Sequence, residues 1–538
     1  ADTALNNIIF SNGRAAQNVV QDYAENIGNP ITLFYNRGGA LYIIGDSNVE
    51  INNAVFSNNS AGQSIFTTID GPNLISEYLV AGLGGAIYVE SDSSVSITQS
   101  LFDKNSVESA DNGELSFGGA IYNTGSLSID DTVFSKNSAN GAITIPNDPN
   151  LGFGGAITTD FPTSVTNINN SSFYYNTSGS GGAIRLNTDS IVSIKNSIFQ
   201  ENHSTTNGGA IRAFGSLSIA LSEFYENSAD LSGGAIDSAT DTQVTSSLFD
   251  GNTATAGGAF RISGGTGHVD NSIFTGNQAS GTGGSAVNVT GTDTHLDLLN
   301  VTITGNNSTV SDNYALTSLG DSQVSLANSI LAGNGSGAGS GDFISQSIQS
   351  FGSNIIGTAI YKEGQQIDTT SLSEIFRDVG LNQHTNVLSG LLSDNGGAFN
   401  SVAILTGGSA DGAGNTRFLP SDTLDLDNDG ITTENAPFDG RGPGFDRLSG
   451  ALLDLGAYQI QDFAAAIQRA VDSDVTVTTD GNAAADAFVS ALQAQEAAKD
   501  DAPLELTQDL LLPAFFDVDE PVAPYSPIHG DLAQPHIA

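Results

Sequence analysis

The chain has 538 residues, with Lys+Arg 15 against Asp+Glu 59, a formal charge of −44 and a pI near 4.1. That balance excludes a nucleic-acid binder working through a general basic face, because phosphate recognition needs clustered cations. With no Cys, disulfide scaffolds, zinc ribbons and thiol catalysis are excluded together. A chain that lacks Met and opens on Ala1 is expected to be a processed polypeptide, relieved of its initiator and of an export signal. No run reaches the roughly 18 apolar residues of a membrane-spanning helix; the stretch near Leu510 to Phe516 is short and interrupted by Pro513.

From the N-terminus, Ile8-Ile9-Phe10-Ser11-Asn12 reads as the closing strand of a repeat unit with no cap before it. That edge is expected to meet another copy or another surface protein. Two words then alternate to about residue 340. The first is Gly-Gly-Ala plus an apolar residue, beginning at Gly38, Gly84, Gly118, Gly154, Gly181, Gly208, Gly233 and Gly257, with a Ser variant at Gly283. The second is Phe-x-x-Asn, with Phe at 56, 102, 134, 173, 199, 224, 249 and 274 and weaker versions at Ile303 and Leu331. Between Phe173 and Phe274 the spacing is 25 or 26 residues, a period that signals a stacked architecture. Within one period, Ala183 to Leu186 and Ser190 to Ile194 alternate like short strands between Gly, Asn and Asp turns, and no ten-residue helical pattern occurs. Three short strands per unit predict an all-β fold: a right-handed parallel β-helix solenoid over 1–383, about 50 Å long at the ordinary strand spacing. The phenylalanines are expected to stack inside the bore, the asparagines to form an amide ladder at a turn, and the glycines to make the tight corners.

These paired words resemble the repeats of chlamydial polymorphic outer-membrane proteins and of many bacterial right-handed β-helix surface proteins. The resemblance implies an exported, surface-displayed β-helix, often an adhesin.

Aligning the repeats one residue past the apolar position gives the column Tyr42, Tyr88, Tyr122, Thr158, Arg185, Arg212, Asp237 and Arg261. Strand alternation turns this column outward. Its aromatic half suits sugar rings and its basic half carboxylate or sulfate, so polysaccharide is a candidate partner; the alternative is ordinary ladder packing, with Asp237 neutralising its neighbours. Inserts from Gly13 to Arg37, Ser60 to Leu83, Ser106 to Phe117 and Ser138 to Phe153 leave one corner and carry Tyr23, Phe34, Tyr35, Phe66, Tyr78, Phe117 and Phe153, either as a binding face or as a lid. For catalysis the best constellation is Arg212, Asp237 and Arg261 with His203. It lacks the acid cluster of glycoside hydrolases, so a lyase acting on acidic glycans through Arg185, Arg212 and Arg261 is the rival reading and no catalytic residue is assigned. His268 and His295 lie 27 residues apart, out of register for a stacked pair.

Residues 384–460 carry Ser393 to Gly397, Leu419 to Gly430, Asp439-Gly440-Arg441-Gly442 and Asp454 to Tyr458, and are similar to the terminal segment of bacterial β-helix proteins labelled choice-of-anchor Q. That likeness implies a surface location. Within it, Asp425-x-Asp427-x-Asp429-Gly430 has the ligand spacing of an EF-hand-like calcium loop, with Glu434 substituting for the missing acid at Ala436. Residues 461–538 change character: helical spacing over Asp462 to Asp472 and Asn482 to Lys499 precedes an acidic, proline-rich tail that could cap the rod or dock on a partner. The expectation is therefore a secreted or cell-surface structural or adhesive protein, or a building block of an extracellular assembly.

Overall fold

Each repeat winds once and lays down four short strands. In one unit these are Ile184–Leu186, Ile191–Lys195, Ile198–Gln200 and His203–Ser204; the next begins at Ile211–Ala213, paired in parallel with the first. The expected three strands undercount because the closing run bends inside Phe-x-x-Asn. Glu201 takes φ +52° and splits that run in two.

The computed structural model describes residues 2–15, 36–62, 64–69, 75–80, 82–108, 115–140, 152–310, 314–318, 320–335, 341–345, 347–361, 364–449 and 452–461. The chain divides into two compact units, Ala1–Asp462 and Phe463–Ala538. The helical segments and proline-rich tail expected over 461–538 lie outside the described residues apart from Gln461, as do insert residues Tyr23, Phe34 and Tyr35. Strands of equal rank stack into sheets of 13, 12, 12 and 10, parallel except for the hairpin of Thr358–Tyr361 with Gly364–Ile367. A parallel β-helix results. The closing residues of the early inserts pair: Asn36–Arg37, Gly82–Leu83, Ser116–Phe117 and Gly152–Phe153 make an additional four-stranded sheet.

The bore is built by ladders. Nine phenylalanines from Phe10 to Phe274 stack with ring centroids 4.5–4.9 Å apart and planes within 15°. From Phe56 onward they are fully buried. Ile303 and Leu331 continue the same column. Beside them runs the amide ladder from Asn59 to Asn334. In its middle, Asn202 Nδ2 donates to the Phe173 carbonyl at 2.9 Å and to Asn227 Oδ1 at 2.9 Å, while Asn202 Oδ1 accepts from the backbone N–H and Nδ2 of Asn176. A third ladder was not anticipated. Ser171, Ser197, Ser222 and Ser247 each accept from the backbone N–H of the coil before and donate to the carbonyl two residues back. The buried polar groups of the corner are thereby satisfied from coil to coil, as burial requires.

The glycine pair divides its work. Its first member is left-handed, with φ +70° at Gly181, and at the second a Cβ on Gly182 would stand 2.0 Å from the Gly209 carbonyl oxygen. In the Ser variant the word begins one residue later than aligned: Gly284 takes the positive φ and Ser285 the second place.

Residues 372–461 do not extend the rod but pack back along its flank. Ile375, Phe376, Phe399, Val402, Ile404, Leu455 and Ala457 cover Leu248, Ile273, Ile330 and Ile355 on the outer face of the phenylalanine sheet. The rod is shaped for this. The left-handed corner inside Phe-x-x-Asn carries Asn58, Lys104, Lys136, Tyr175, Glu201 and Glu226 in early coils but Gly251, Gly276, Gly305 and Gly333 in late ones. A Cβ at Gly251 would meet the His384 ring at 2.8 Å, and one at Gly305 would meet Asn382 and Ser389 at 2.9 Å. Bare corners make the track in which the segment sits.

Candidate functional site

The column of Tyr42, Tyr88, Tyr122, Thr158, Arg185, Arg212, Asp237 and Arg261 is in register, each residue paired with the next across the sheet. It points out of the bore, but it is not an open stripe. Tyr88, Tyr122, Thr158, Arg212 and Asp237 are buried, and only Tyr42 is well exposed. The reason is the sharp glycine corner: the chain preceding each Gly-Gly lies across the outer face of the strand that follows it. Thus Thr158 Oγ1 donates to the Phe153 carbonyl at 2.7 Å, and Arg185 Nη1 to Ser180 Oγ at 3.1 Å.

The aromatic half packs on itself. Tyr88 and Tyr122 stack at 5.4 Å, Phe117 meets Tyr122 edge-on at 5.8 Å, and Leu83 completes the cluster. In the basic half Asp237 is shared, 2.6 Å from Arg212 Nη1 and 3.2 Å from Arg261 Nη1. Burial lowers the pKa of Arg212 against the opposing pull of Asp237. Arg185 differs from both. Its guanidinium lies 4.0 Å over the Phe153 ring and 5.0 Å from that of Phe214, and Nε donates to Asn187 Oδ1 at 2.8 Å. Among the described residues no carboxylate comes within ion-pair distance of it. Burial, then the neighbouring Arg212, pull its pKa down to about 10. It borders a groove of about 720 Å³ lined also by Tyr122, Asp160, Phe161, Asn187 and Phe214. Of this lining only Tyr122 and Arg185 were singled out by the repeat alignment; Asp160 to Pro162 belong to a turn whose meaning is visible only in three dimensions.

His203 lies on the fourth strand, its Nδ1 2.9 Å from Ser228 Oγ, and is not brought to Arg212 or Arg261. His268 and His295 are out of register as expected, yet both reach Asp297, at 3.0 Å and 2.7 Å.

In the acidic loop Asp425, Asp427 and Asp429 bring carboxylate oxygens within 4.8 Å of one another, and Asp427 does the same with Glu434 and with Asp422. Asp422, three residues upstream of the motif, escaped the sequence pattern. Burial, then Asp427 and Asp425, raise its pKa against the Leu426 N–H; partial desolvation, then Asp429, Asp427, Asp422 and Asp425, raise that of Glu434. A cation would relieve this crowding, so the donor set fits a hard, oxygen-seeking ion. Lys195 Nζ, 3.0 Å from Asn428 Oδ1 and 3.3 Å from the Asp425 carbonyl, ties the loop to the rod. The Asp439-Gly440-Arg441-Gly442 word is a buried clamp: Arg441 pairs with Asp439 at 2.6 Å and lies 4.0 Å from the Phe445 and Tyr458 rings.

Fold and site together define a parallel β-helix repeat protein. Residues 53–90 and 196–213 match the family model described as the Chlamydia polymorphic membrane protein (Chlamydia_PMP) repeat. With the stacked parallel sheets, that match makes the chain a β-helix protein similar to the polymorphic membrane proteins. Neither a curated protein nor a solved structure gives a match.

Proposed function

We propose that this chain is a non-enzymatic structural or adhesive protein of the cell surface or extracellular space. The observation that carries this reading is the use of the repeats: the phenylalanines, asparagines, serines and paired glycines are engaged in coil-to-coil contact, and the arginines offered for catalysis, Arg212 and Arg261, are held by Asp237. The description of the matching repeat, a membrane-protein family, supports a surface location. This reading also has the edge formed by Asp2–Asn6, Ile9–Ser11 and Arg14–Ala15 meet another copy or another surface protein. In the same reading the choice-of-anchor Q-like segment is a flank brace, with Ca2+ at Asp425, Asp427, Asp429 and Glu434 stiffening its loop.

The test treats intact producing cells with protease and, in parallel, incubates the purified protein with a panel of acidic polysaccharides. Cleavage without lysis and no unsaturated product are expected. A protein protected until lysis, or product formation abolished by Arg212→Ala, overturns the reading.

A further inference from the structure

We infer that the groove beside Arg185 binds a carboxylate-bearing sugar unit of an acidic polysaccharide, the guanidinium taking the carboxylate and the Phe161 ring covering the apolar face of the sugar. This deepens the adhesive reading above, on which it rests, by naming the ligand class.

The charge distribution points there first. In a chain of −44, Arg212 and Arg261 share one carboxylate, Asp237, while Arg185 has, among the described residues, no carboxylate in direct contact and feels only Asp160 through space. A guanidinium has five N–H donors in a flat fork; Arg185 uses Nε on Asn187 and Nη1 on Ser180. The remaining donors sit on a half-buried side chain held between rings at the groove wall. Such a group is matched by a planar anion that binds two of its N–H groups at once.

The groove rim supplies the second observation. Phe161 is 58% exposed and holds φ +91°, a conformation that a bulky residue rarely adopts. Strain of this kind at an exposed aromatic, beside an arginine that no carboxylate contacts directly and that Asp160 offsets only through space, is the arrangement of a site. The turn is fixed by Asp160, whose carboxylate accepts from Tyr122 Oη at 2.6 Å and from the Phe161 N–H at 2.8 Å.

The lining favours a sugar over a peptide. Aromatic rings, Pro162, the carboxylates of Asp160 and Asp189, an amide and the Thr188 hydroxyl surround the space, and no Leu, Ile or Val lines it. Aromatic faces with convergent polar groups suit a ring bearing hydroxyls, whereas an acidic peptide would also ask for aliphatic pockets. The groove runs from Tyr122 to Phe214 along the stacking direction, which suits a linear polymer.

The test titrates the full chain by calorimetry with trigalacturonate and hyaluronan hexasaccharide, with trigalacturonate methyl ester and an Asp/Glu hexapeptide as comparisons. At least one acid oligosaccharide is expected to bind, with the ester weaker on the order of tenfold or more, as loss of a charge-assisted pair implies. Arg185→Gln should lose affinity to a similar extent. Phe161→Gly should bind more weakly yet melt at a higher temperature, because glycine accepts the positive φ; this variant decides the matter if Arg185→Gln unfolds. No saturable binding of either oligosaccharide, equal binding of the ester, tighter binding of the hexapeptide, or full affinity in Phe161→Gly overturns the inference. Any of these with protease accessibility on cells intact leaves the surface reading standing, and unsaturated product would overturn that reading instead.

Discussion

Replacing Gly276 by Lys restores at a late coil what Lys104 and Lys136 supply at early ones, and it tests whether the bare corners seat the flank segment. The backbone there has φ +67°, and a Cβ would stand 2.8 Å from Asp250 Oδ1 and the His384 ring and 3.1 Å from Asn382 Oδ1. A left-handed conformation costs a non-glycine residue about 1 kcal/mol. Moving away the hairpin of Val379–Leu381 with Leu388–Gly390 also breaks the bonds of Asn382 to Thr275 at 3.1 Å and of Thr385 to the Gly305 carbonyl at 2.6 Å, and the 3.3 Å contact of His384 with Asp250. At about 1 kcal/mol each, the segment should lose roughly 3 kcal/mol of hold, and the protein roughly 4 kcal/mol in all with the conformational cost. The control is Lys104→Gly, at φ +55° on a coil the segment does not reach: it should be neutral or stabilising by up to about 1 kcal/mol. Trypsin cleavage at the exposed Arg377, followed against chemical unfolding, reads the difference. If Gly276→Lys costs no more than the conformational penalty and Arg377 is cut no faster, the corners are not a seat.

Acidity should stabilise the rod. Burial raises the carboxyl pKa of Asp270 and Glu223 to about 7 and that of Asp342 to about 6, above their unfolded values. The folded chain then binds more protons than the unfolded one between pH ~4 and ~7, and stability falls as pH rises through that window. His384, raised by its bond to Asp250, and His268, raised by Asp297, act in the same direction, their contribution complete below about 6.5 and lost as pH climbs past their folded values. Asp297, which burial alone would raise but the two histidines hold low, opposes only below about pH 4. At about 1.4 kcal/mol per unit, Asp342, whose folded value of about 6 lies one unit above pH 5, alone is worth about 1.4 kcal/mol between pH 5 and pH 8, so melting should be higher at pH 5 than at pH 8 even in high salt, which screens the net charge; equal or lower melting at pH 5 refutes it. Calcium should add about 2.7 kcal/mol of stability at a hundredfold excess over Kd and so raise the melting temperature, and Asp427→Asn should abolish the effect; a chelator that changes nothing in the wild type argues against the loop. Phe199→Ala opens a gap between rings 4.7 and 4.9 Å away and should cost about 3–5 kcal/mol in chemical denaturation; less than 1 would mean that the stack relaxes to fill it.

The bore was legible because each turn repeats the same chemistry, so Phe, Asn and Gly acquired roles from recurrence alone. The serine ladder was equally periodic, two residues before each phenylalanine from Phe173 to Phe274, but Ser is common in this chain and did not stand out. The track for the flank segment is also written plainly, as Phe249-Asp250-Gly251-Asn252 and Phe274-Thr275-Gly276-Asn277 against Phe199-Gln200-Glu201-Asn202. Its meaning depends on contacts over a hundred positions away, Gln278 with His384 among them, and no local pattern carries those. For the site, alternation placed Arg185 and Arg212 outward correctly. It could not show that the preceding chain folds over them, nor that Phe161 is held at a positive φ.

The amide ladder has a direction, and its end shows why. Every Asn accepts from the coil before and donates to the coil after, so the last must donate to a group that need not donate in turn. Asn334 does so to Asp342: Oδ1 accepts its N–H at 3.1 Å and its Nδ2 at 2.8 Å, while Oδ2 accepts the Thr358 N–H at 2.7 Å. A carboxylate fits only there. Asn202→Asp in the middle would keep an oxygen for Asn176 but set the other against the Phe173 carbonyl and Asn227 Oδ1, three acceptors with no proton among them. Asn202→Ala removes the same bonds without the buried charge, at about 1–3 kcal/mol for each donor left bare. Asp should therefore destabilise more than Ala at pH 8, and the gap should close on acidification as a protonated carboxyl recovers one donor. Chemical unfolding of both variants at pH 8 and pH 5 measures it; an Asp variant as stable as Ala at pH 8 would mean that the ladder tolerates a break in polarity and that its direction is incidental.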